Sequence, residues 1–417
     1  MTQLNVLLAT LGSAGDVNPF VAIGRALLDR GHRVTLITSA HFQDIVAKAG
    51  LGFFGLGTRD DYAQVVDDPD LWDPSRGFQV FARRVVIPAI RPVYDIVASN
   101  LRPNTVVVAQ GQAFGAHLAH ERLAVPFVTI NLQPVAFRSA HDSALIPPWI
   151  PLVARPSLFR LIDFLVLDRE LANPVNALRG ELGLAPVKHV FGSWAHSPQK
   201  TIGLFPEWFA PPQVDWPPNT KQAGFVLTSE DTPPQHSGLA RFLDSGPPPI
   251  VFTPGTEMKH AQGFFAASIR ALTHLGHRGI LLSRHTQHIP SPLPEGVVSF
   301  PYISFASVLP RAAAIVHHGG IGTIAQSFAA GIPQVIRPMA HDQPDTAARV
   351  QRLGVGLTVS PRHYTPDRVH SALRDLLASQ PIREACRLYS TKVNSAEALT
   401  VVCDEIEAVA SRYAAYR

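Results

Sequence analysis

Cysteine, charge and long apolar runs are all scarce in this chain of 417 residues. The two cysteines, Cys386 and Cys403, cannot form the disulfide framework of a small secreted domain, so we expect a reducing compartment. No uninterrupted apolar stretch has transmembrane length, and the first residues lack the basic segment of a signal peptide. These absences favour a cytoplasmic protein and leave peripheral contact with a membrane open.

Clustered positive charge is also missing. The formal net charge is +4, charged residues make up 16% of the chain, and Lys and Arg are scattered along it. Nucleic-acid-binding proteins concentrate these residues on one face, so the sequence argues against a nucleic-acid partner. The mild basic excess is compatible with an anionic small-molecule ligand.

Strand-length apolar segments alternate with helical segments in both halves of the chain. Leu4–Ala9 and His32–Thr38 are predicted strands, and between them we expect a helix that begins at Pro19 with Asn18 as its N-cap. Ile250–Thr253 starts the same pattern again. Units of this length predict parallel sheets with right-handed crossovers. Further strands are predicted at 105–109, 127–130, 223–225, 279–283, 297–300, 314–317 and 334–337.

The length and the repeated pattern predict an α/β protein with two Rossmann-like parallel-sheet domains. Two polar, proline-rich stretches, at 230–238 and 245–249, lie at the entrance to the second half. We expect domains at 1–218 and 219–394, and a helix at 395–417 that returns to the N-terminal domain. Because ligands bind at the carboxyl ends of parallel strands, the two sheets are expected to face each other across a cleft.

The most informative segment is the glycine-rich turn after the predicted strand at 314–317. His318, Gly320, Gly322 and Thr323 lie in this turn, and we expect a helix to begin near Thr323. Backbone N–H groups at a helix start lack partners, and glycines allow an anion to approach them. The imidazole of His318 and the hydroxyl of Thr323 would stabilise a departing diphosphate. The alternative for His318 is a buried structural histidine.

A second candidate lies in the loop after the first predicted strand. The carboxylate of Asp16 has the chemistry of a general base that accepts a proton from a hydroxyl. Gly12 and Gly15 would let this loop, which also contains Ser13, pass close to the cleft, and an ordinary tight turn is the alternative for both glycines. The alternative for Asp16 is helix capping, but we assign the cap to Asn18 and expect Asp16 to be free.

Two patterns resemble metal sites, and we expect neither to bind a metal. Asp68 and Asp70 form an Asp-x-Asp pair, but they lie in a loop remote from the glycine turn, so we interpret them as a solvated or capping cluster. His317 and His318 are adjacent but lack a carboxylate or thiol at supporting spacing. We expect His317 to be structural. The polarised helix start can supply the stabilisation that a metal provides elsewhere, so no metal or other cofactor is expected.

The segment from Ile315 to Thr323, followed by Pro338–Gln343, resembles the signature of the family 1 glycosyltransferases, which have the GT-B fold. This resemblance implies that the N-terminal domain binds an acceptor, that the C-terminal domain binds a nucleotide sugar, and that transfer inverts the anomeric centre. It implies that Asp342 and Gln343 contact the hydroxyls of the donor sugar. It also places Gly255 and Thr256 in a phosphate-side turn, for which an ordinary strand-to-helix turn is the alternative.

Four positions differ from the family pattern. Tyr302 stands where relatives often have a tryptophan that stacks on the base, and core packing is its alternative role. Ser304 and Phe305 replace a Pro-Gln pair, which leaves the choice between uracil and thymine open. Gly322 replaces an asparagine, so backbone N–H groups would have to contribute more to phosphate binding.

Other segments resemble, more narrowly, the rhamnosyltransferases of bacterial rhamnolipid synthesis. That likeness implies dTDP-L-rhamnose as donor and a small hydrophobic acceptor such as a hydroxyalkanoyloxyalkanoate. A UDP-hexose and a sterol or polyketide acceptor form the alternative. The segments are Gly12–Val17, Asp70–Pro74, His196–Gln199 and Leu204–Gln213.

Three other functions stay open at this point. A nicotinamide oxidoreductase is disfavoured because Gly12 and Gly15 do not form the G-x-G-x-x-G pattern. In addition, Thr38 and Ser39 stand at the end of the second predicted strand, where an acid is expected. A binding protein without turnover differs from an enzyme only in activity. A nucleotide-sugar epimerase would give product without an acceptor.

Overall fold

The structure is a computed structural model that describes residues 2–143, 146–147, 149–228, 237–255, 258 and 261–415. Of the predicted site residues, Thr256 lies outside these ranges. The chain divides into two compact units. The N-terminal unit comprises Met1–Val226 and Ser395–Arg417, and the C-terminal unit comprises Leu227–Asn394.

The described part of the N-terminal unit contains a seven-stranded parallel sheet in the order β3-β2-β1-β4-β5-β6-β7. The central strand β4 is buried along its whole length, which explains its unbroken apolar run. Strand order reverses between β1 and β4, and this reversal leaves a crevice beyond their carboxyl ends. The strands are β1 Asn5–Ala9, β2 Arg33–Ser39, β3 Gly52–Leu56, β4 Thr105–Gln110, β5 Phe127–Asn131, β6 Lys200–Gly203 and β7 Thr220–Gln222.

The C-terminal unit repeats this topology. Its described residues form a six-stranded parallel sheet in the order β10-β9-β8-β11-β12-β13, and the order reverses between β8 and β11. The prediction of two Rossmann-like parallel-sheet domains is therefore confirmed. The strands are β8 Ile250–Thr253, β9 Gly279–Leu282, β10 Val297–Phe300, β11 Ala314–His317, β12 Gln334–Ile336 and β13 Gly356–Thr358.

Helices lie in most of the connections between successive strands, but the β6–β7 and β9–β10 connections, which the structure describes throughout, contain no α-helix. Within the described ranges, no helix combines the length and the apolar character needed to cross a membrane. The α-helices are α1 Ala14–Asp29, α2 Gln43–Lys48, α3 Arg59–Asp67, α4 Gly77–Phe81, α5 Ile87–Ser99, α6 Phe114–Leu123, α7 Arg155–Ile162, α8 Asp168–Glu181, α9 Ser237–Asp244, α10 Gln262–Leu275, α11 Phe305–Val308, α12 Ile321–Ala330, α13 Gln343–Arg352, α14 Pro366–Ala378, α15 Gln380–Ser390 and α16 Ser395–Ala415.

Ion pairs join the last helix, α16, to the N-terminal unit. Arg30, which follows α1, pairs with Asp404 and Glu407 of α16. Lys200 at the start of β6 pairs with Glu405 at 2.9 Å. These contacts place the end of the chain in the same unit as its beginning.

Three boundaries differ from the predictions. Helix α1 begins at Ala14 rather than Pro19, because Ser13 and Asp16 form a capping box that starts it earlier. No strand covers 223–225, where Gly224 has a φ of +108°, and β7 lies just before it. Helix α12 begins at Ile321 rather than near Thr323, because Gly320 is already extended as its N-cap.

Close packing of α5 on α6 depends on Gly115. A Cβ at this position would lie 2.2 Å from the carbonyl oxygen of Ile90 and 2.7 Å from the backbone nitrogen of Tyr94. We expect Gly115→Ala to lower the free energy of unfolding by about 1–3 kcal/mol, because the helices must move apart. Urea unfolding followed by circular dichroism measures this change. Gly180 in α8 is the matched control, since a Cβ there meets nothing within 4 Å. Gly180→Ala should be neutral or stabilising by up to about 1 kcal/mol, and equal losses in both variants would contradict the packing argument.

Candidate active site

Asp16 and Gln110 meet at the β1–β4 crevice. Asp16 lies in the first turn of α1, which follows β1, and Gln110 is the last residue of β4. Gln110 Nε2 donates a hydrogen bond to Asp16 Oδ1 at 3.0 Å. The strand reversal therefore brings together two residues that are 94 positions apart in the sequence.

The orientation of the Gln110 amide is determined by its other partners. Its Oε1 accepts hydrogen bonds from Thr10 Oγ1 at 2.9 Å and from the Leu11 backbone N–H at 3.0 Å. Because both partners donate to Oε1, the amide nitrogen must face Asp16. Gln110 thus presents a donor to the carboxylate, which stabilises its ionised form.

The carboxylate of Asp16 also caps α1. Its Oδ2 accepts from the Ser13 backbone N–H at 2.9 Å and from Ser13 Oγ at 3.2 Å. The expectation that Asn18 provides the cap and leaves Asp16 free is therefore wrong. Gly12, with a φ of +125°, makes room for the carboxylate, because a Cβ there would lie 2.3 Å from Oδ2.

Burial raises the pKa of Asp16, and the hydrogen bonds from Ser13 and Gln110 partly oppose this rise. A carboxylate has about four acceptor positions, and these hydrogen bonds occupy three of them. One acceptor position on Oδ1 therefore has no donor among the described residues. The other predicted loop residue, Gly15, is exposed and donates its N–H to Ser13 Oγ.

A polar pocket adjoins Gln110 within the N-terminal unit. His196 is buried in its wall, and its Nδ1 lies 3.3 Å from Asn131 Nδ2. Because the amide donates, His196 Nδ1 accepts and Nε2 carries the proton. Burial lowers the pKa of His196 to about 4, so the ring is neutral at pH 7. The pocket is lined by Gln110, Gly111, Gln112, Asn131, Leu132, Gln133, Ala136, Phe191, Ala195 and His196.

His317 and His318 have different environments in the C-terminal unit. His317 is fully buried, with Nε2 3.0 Å from Gln334 Oε1 and Nδ1 accepting from the Gly319 backbone N–H at 3.1 Å. His318 is partly exposed, and its buried Nδ1 has no hydrogen-bond partner among the described residues. Burial lowers the pKa of His317 to about 3 and that of His318 to about 4. The contacts of His317 are those of a structural residue, as predicted.

Two glycines enclose the imidazole of His318. A Cβ at Gly255 would lie 3.0 Å from Cε1 of this ring, and a Cβ at Gly320 would lie 2.6 Å from Nε2. Gly255 follows β8 and has a φ of +108°, so it also has a conformation that favours glycine. Because β8 and β11 are adjacent, the C-terminal strand reversal brings Gly255 and His318 together.

The start of α12 offers unpaired backbone donors beside His318. The N–H groups of Ile321, Gly322 and Thr323 belong to the first helical turn and have no intrahelical acceptors. Gly322 is exposed, and a Cβ there would meet nothing within 4 Å. The glycine-rich turn therefore leads into a helix start with unpaired N–H groups, and Gly322 is more exposed than Thr323; anion binding at this turn stays a prediction.

Gln343 is oriented toward its own loop. It is 2% exposed, and its Oε1 accepts from the backbone N–H groups of Met339 and Ala340, at 2.7 and 3.3 Å. Asp342 is partly exposed at the N-cap position of α13 but makes no capping hydrogen bond with its side chain. His341 has a φ of +60°, which is uncommon outside glycine and marks a constrained turn. The more exposed member of the predicted sugar-binding pair is therefore Asp342.

Tyr302 lies after β10 at the carboxyl edge of the C-terminal sheet. Its ring is partly exposed and lies 5.5 Å from the guanidinium carbon of Arg284. Phe305 starts α11 and packs against the apolar core of this unit. Tyr302 is thus a partly exposed ring beside Arg284, whereas Phe305 contributes to the core.

The acidic residues near Asp70 cap a helical turn and form ion pairs with arginines, as expected. Asp68 Oδ1 accepts from the Asp70 backbone N–H at 3.0 Å, and its carboxylate also pairs with Arg84. Asp70 and Asp73 both pair with Arg76. These contacts explain the cluster by local structure.

Gln110 was not predicted as a site residue. The sequence does place Gln110 at the end of the predicted strand at 105–109. It does not show that this strand pairs with β1, which is what brings Gln110 to Asp16. Of the predicted residues, Gly12, Ser13 and Asp16 lie together in one unit. Gly255, His318, Gly320, Gly322 and Thr323 lie on neighbouring loops of the other unit.

Two family models match separate parts of the chain. Residues 6–141 match the N-terminal domain of glycosyltransferase family 28. Residues 270–409 match the C-terminal domain of proteins like erythromycin biosynthesis protein CIII. Together the matches span about two thirds of the chain.

Curated relatives extend over most of the chain. O-mycaminosyltylonolide 6-deoxyallosyltransferase of Streptomyces fradiae is 29% identical over 84% of this chain and 84% of its own length. Sterol 3-beta-glucosyltransferase UGT80A2 of Arabidopsis thaliana is 27% identical over 90% of this chain and 62% of its own length.

Solved structures share the fold. The calicheamicin glycosyltransferase CalG4 superposes with a TM-score of 0.73 at 24% identity and covers 99% of both chains. The glycosyltransferase VinC in complex with dTDP has a TM-score of 0.69 at 19% identity, covering 98% of this chain and 100% of VinC. The spinosyn rhamnosyltransferase SpnG has a TM-score of 0.68 at 17% identity, covering 96% of this chain and 100% of SpnG.

The sheet topology and the structural matches identify the GT-B fold. The two domain models add a family 28-type N-terminal domain and an erythromycin CIII-like C-terminal domain. The chain is therefore a two-domain protein of the GT-B fold that is similar over most of its length to glycosyltransferases.

Proposed function

We propose that Asp16 is the general base of an inverting sugar transfer from a nucleotide diphosphate donor to an acceptor hydroxyl. The observation that carries this proposal is the hydrogen bond from Gln110 Nε2 to Asp16 Oδ1, which holds the carboxylate in the β1–β4 crevice and leaves one acceptor position on Oδ1 without a donor among the described residues. Asp16 takes the hydroxyl proton as the oxygen attacks the anomeric carbon, and the bond to the diphosphate breaks in the same displacement. Gln110 acts as a positioning residue.

The glycine turn of the C-terminal unit binds the leaving group in this proposal. The N–H groups of Ile321, Gly322 and Thr323 face the diphosphate, and the Thr323 hydroxyl adds a donor. His318 is neutral at pH 7, so it first acts as an N–H donor. A nearby diphosphate raises its pKa and strengthens this interaction as negative charge develops. No metal or other cofactor is part of this mechanism.

Other residues of the C-terminal unit would select the donor. Tyr302 stacks on the base, Asp342 binds sugar hydroxyls, and Gly255 gives the phosphates access beside His318. Gln343 supports the loop of Asp342 through its bonds to Met339 and Ala340, and contributes to the sugar only through its amide nitrogen. Thr256, outside the described residues, keeps the phosphate-side role that the family resemblance implies.

The proposed donor is dTDP-L-rhamnose, and the proposed acceptor is a hydroxyalkanoyloxyalkanoate or a similar lipid-like hydroxy acid. The segments that resemble rhamnolipid enzymes support this choice, as does the similarity to a 6-deoxyallosyltransferase. Gly12, Ser13 and Gly15 then form the acceptor loop. The alternative is a UDP-hexose transferred to a sterol or polyketide, which the similarity to a sterol glucosyltransferase supports. A thermal-shift comparison of dTDP and UDP sugars separates the two donors.

Replacing Asp16 by Asn should lower transfer by about 10²–10⁴-fold, because the proton acceptor is lost. Binding of dTDP should be unchanged, since the proposed diphosphate turn belongs to the C-terminal unit. Mass spectrometry of the rhamnosylated hydroxyalkanoyloxyalkanoate measures transfer, and calorimetry measures dTDP binding. UDP-glucose with a sterol is assayed in parallel.

Asp61 provides a matched control for this variant. It occupies the same capping-box position in α3, where its Oδ2 accepts from the Thr58 backbone N–H and Oγ1, both at 2.8 Å. Like the Asp16 variant, Asp61→Asn should lose about 0.5–2 kcal/mol of its free energy of unfolding, because a helix cap is weakened, but it should retain turnover. Full turnover in the Asp16 variant, or an equal loss in both variants, would refute the base assignment.

Replacing Gln110 by Met should move the acid limb of the pH–rate profile to higher pH. Gln110 donates to the ionised carboxylate, so its loss raises the pKa of Asp16 and a higher pH is needed to keep the base deprotonated. Gln112→Met is the control, because Gln112 lines the same pocket but donates to the Leu11 carbonyl oxygen. An unshifted limb in the Gln110 variant, or the same shift in both, would contradict the positioning role.

Replacing Gly322 by Ala should weaken dTDP binding by at least about tenfold, because a methyl group blocks approach to the helix start. The free energy of unfolding should not fall, since the Cβ meets no atom of the fold. Gly263 of α10 is the control: it is also the second residue of its helix, and a Cβ there also meets nothing within 4 Å. Calorimetric titration of both variants with dTDP tests this prediction, and equal affinities would exclude phosphate binding at Gly322.

A further inference from the structure

Exposed apolar side chains are concentrated in one short part of the N-terminal unit. Of ten large apolar side chains that are exposed among the described residues, seven lie between 149 and 166. Trp149 is 79% exposed, Val153 87% and Phe164 69%. Concentration of this kind marks an interaction surface, whereas isolated exposed apolar residues are common. The apolar face, as we name it, comprises Trp149, Leu152, Val153, Leu161, Phe164 and Leu165, with Val166 at its border.

The opposite side of this segment is firmly attached to the unit. Phe159 in α7 is buried in a small core with Ala140 and Ile146. Asp163 is also buried and pairs with Arg138, whose guanidinium carbon lies 5.0 Å from the centre of the Phe159 ring. Phe159 and Asp163 are one helical turn apart and point inward. The outer side chains are therefore exposed because they lie on the opposite side of an anchored helix, and not because the segment has unfolded locally.

Helical spacing places the apolar residues together on the outer side. Leu161, Phe164 and Leu165 are related by steps of three and four residues along α7 and the π-helical turn Asp163–Leu167 that follows it. Leu152 and Val153 form a short helical turn just before α7. The face thus spans consecutive turns of one segment.

The exposed charged side chains within residues 149–169 are positive. Arg160 and Arg169 are exposed, whereas the nearby carboxylates are used within the fold. Asp163 pairs with Arg138, and Asp168 accepts from the backbone N–H groups of His189 and Val190 at 2.9 and 3.0 Å. Apolar side chains with a tryptophan and arginines are typical of segments that lie in the interface of an anionic membrane. A partner with negative headgroups and an apolar layer complements this combination.

We propose that residues 149–169 form a lipid-binding face that docks the N-terminal unit on the surface of an anionic membrane. The apolar face enters the boundary between headgroups and acyl chains, and Arg160 and Arg169 contact phosphate groups. This proposal is independent of the sugar transfer and is tested without turnover. If the acceptor is lipid-like, docking places the enzyme where that acceptor is concentrated.

Vesicle flotation of the full chain tests the proposal. Vesicles of three parts phosphatidylcholine to one part phosphatidylglycerol should bind the native chain, and raised salt should weaken binding. Phe164→Ser combined with Leu165→Ser should lower the partition coefficient by at least about tenfold. Arg160→Gln combined with Arg169→Gln should remove the preference over pure phosphatidylcholine vesicles.

Val214 and Leu388 provide the control, because they are exposed apolar residues outside this segment. Val214→Ser combined with Leu388→Ser should bind vesicles like the native chain, and circular dichroism should show that all variants are folded. Absence of native binding would overturn the proposal, as would equal loss in the control. Sedimentation velocity without vesicles provides a further test, since a dimer that dissociates in the Phe164 and Leu165 variant would identify a second copy as the occupant.

Discussion

The reversal of strand order in each parallel sheet is the constraint on which the candidate site depends. Strands β1 and β4 in one unit, and β8 and β11 in the other, are adjacent, but their following helices pack on opposite faces of the sheet. The loops that leave these strands therefore diverge and expose backbone and side chains between them. Asp16 meets Gln110 in the first crevice, and His318 meets Gly255 in the second.

Glycine residues, which have no side chain, are as important to the candidate site as the polar residues. Gly12 leaves room for the Asp16 carboxylate, and Gly255 and Gly320 leave room for the His318 ring. At Gly12 and Gly255 the backbone also has a positive φ, so a larger residue would meet both strain and steric overlap. The same principle thus shapes the surroundings of the proposed base and of the proposed leaving-group site.

Asp16 shows that a structural and a catalytic role are compatible in one carboxylate. Its Oδ2 starts α1 through Ser13, while Oδ1 contacts Gln110 and retains one acceptor position. Capping restrains the side chain, and the amide of Gln110 favours its ionised form against the effect of burial. The adjoining pocket is lined by amide side chains and His196, so it suits a polar part of an acceptor. Alkyl chains would find a more suitable environment at the apolar face of residues 149–166.

The sequence by itself determined the fold class, the glycine turn at His318 and the position of Asp16, because strand periodicity and turn chemistry are local properties. It did not reveal the capping role of Asp16, since the competing signal from Asn18 and Pro19 is equally local. Only the tertiary structure decided that Gln110 contacts Asp16, that Gln343 is oriented inward and that the apolar side chains of 149–166 face outward. The first depends on strand order, the second on the conformation of the loop before α13, and the third on which segments pack against 149–166. Strand order, loop conformation and burial are not encoded in any short stretch of sequence.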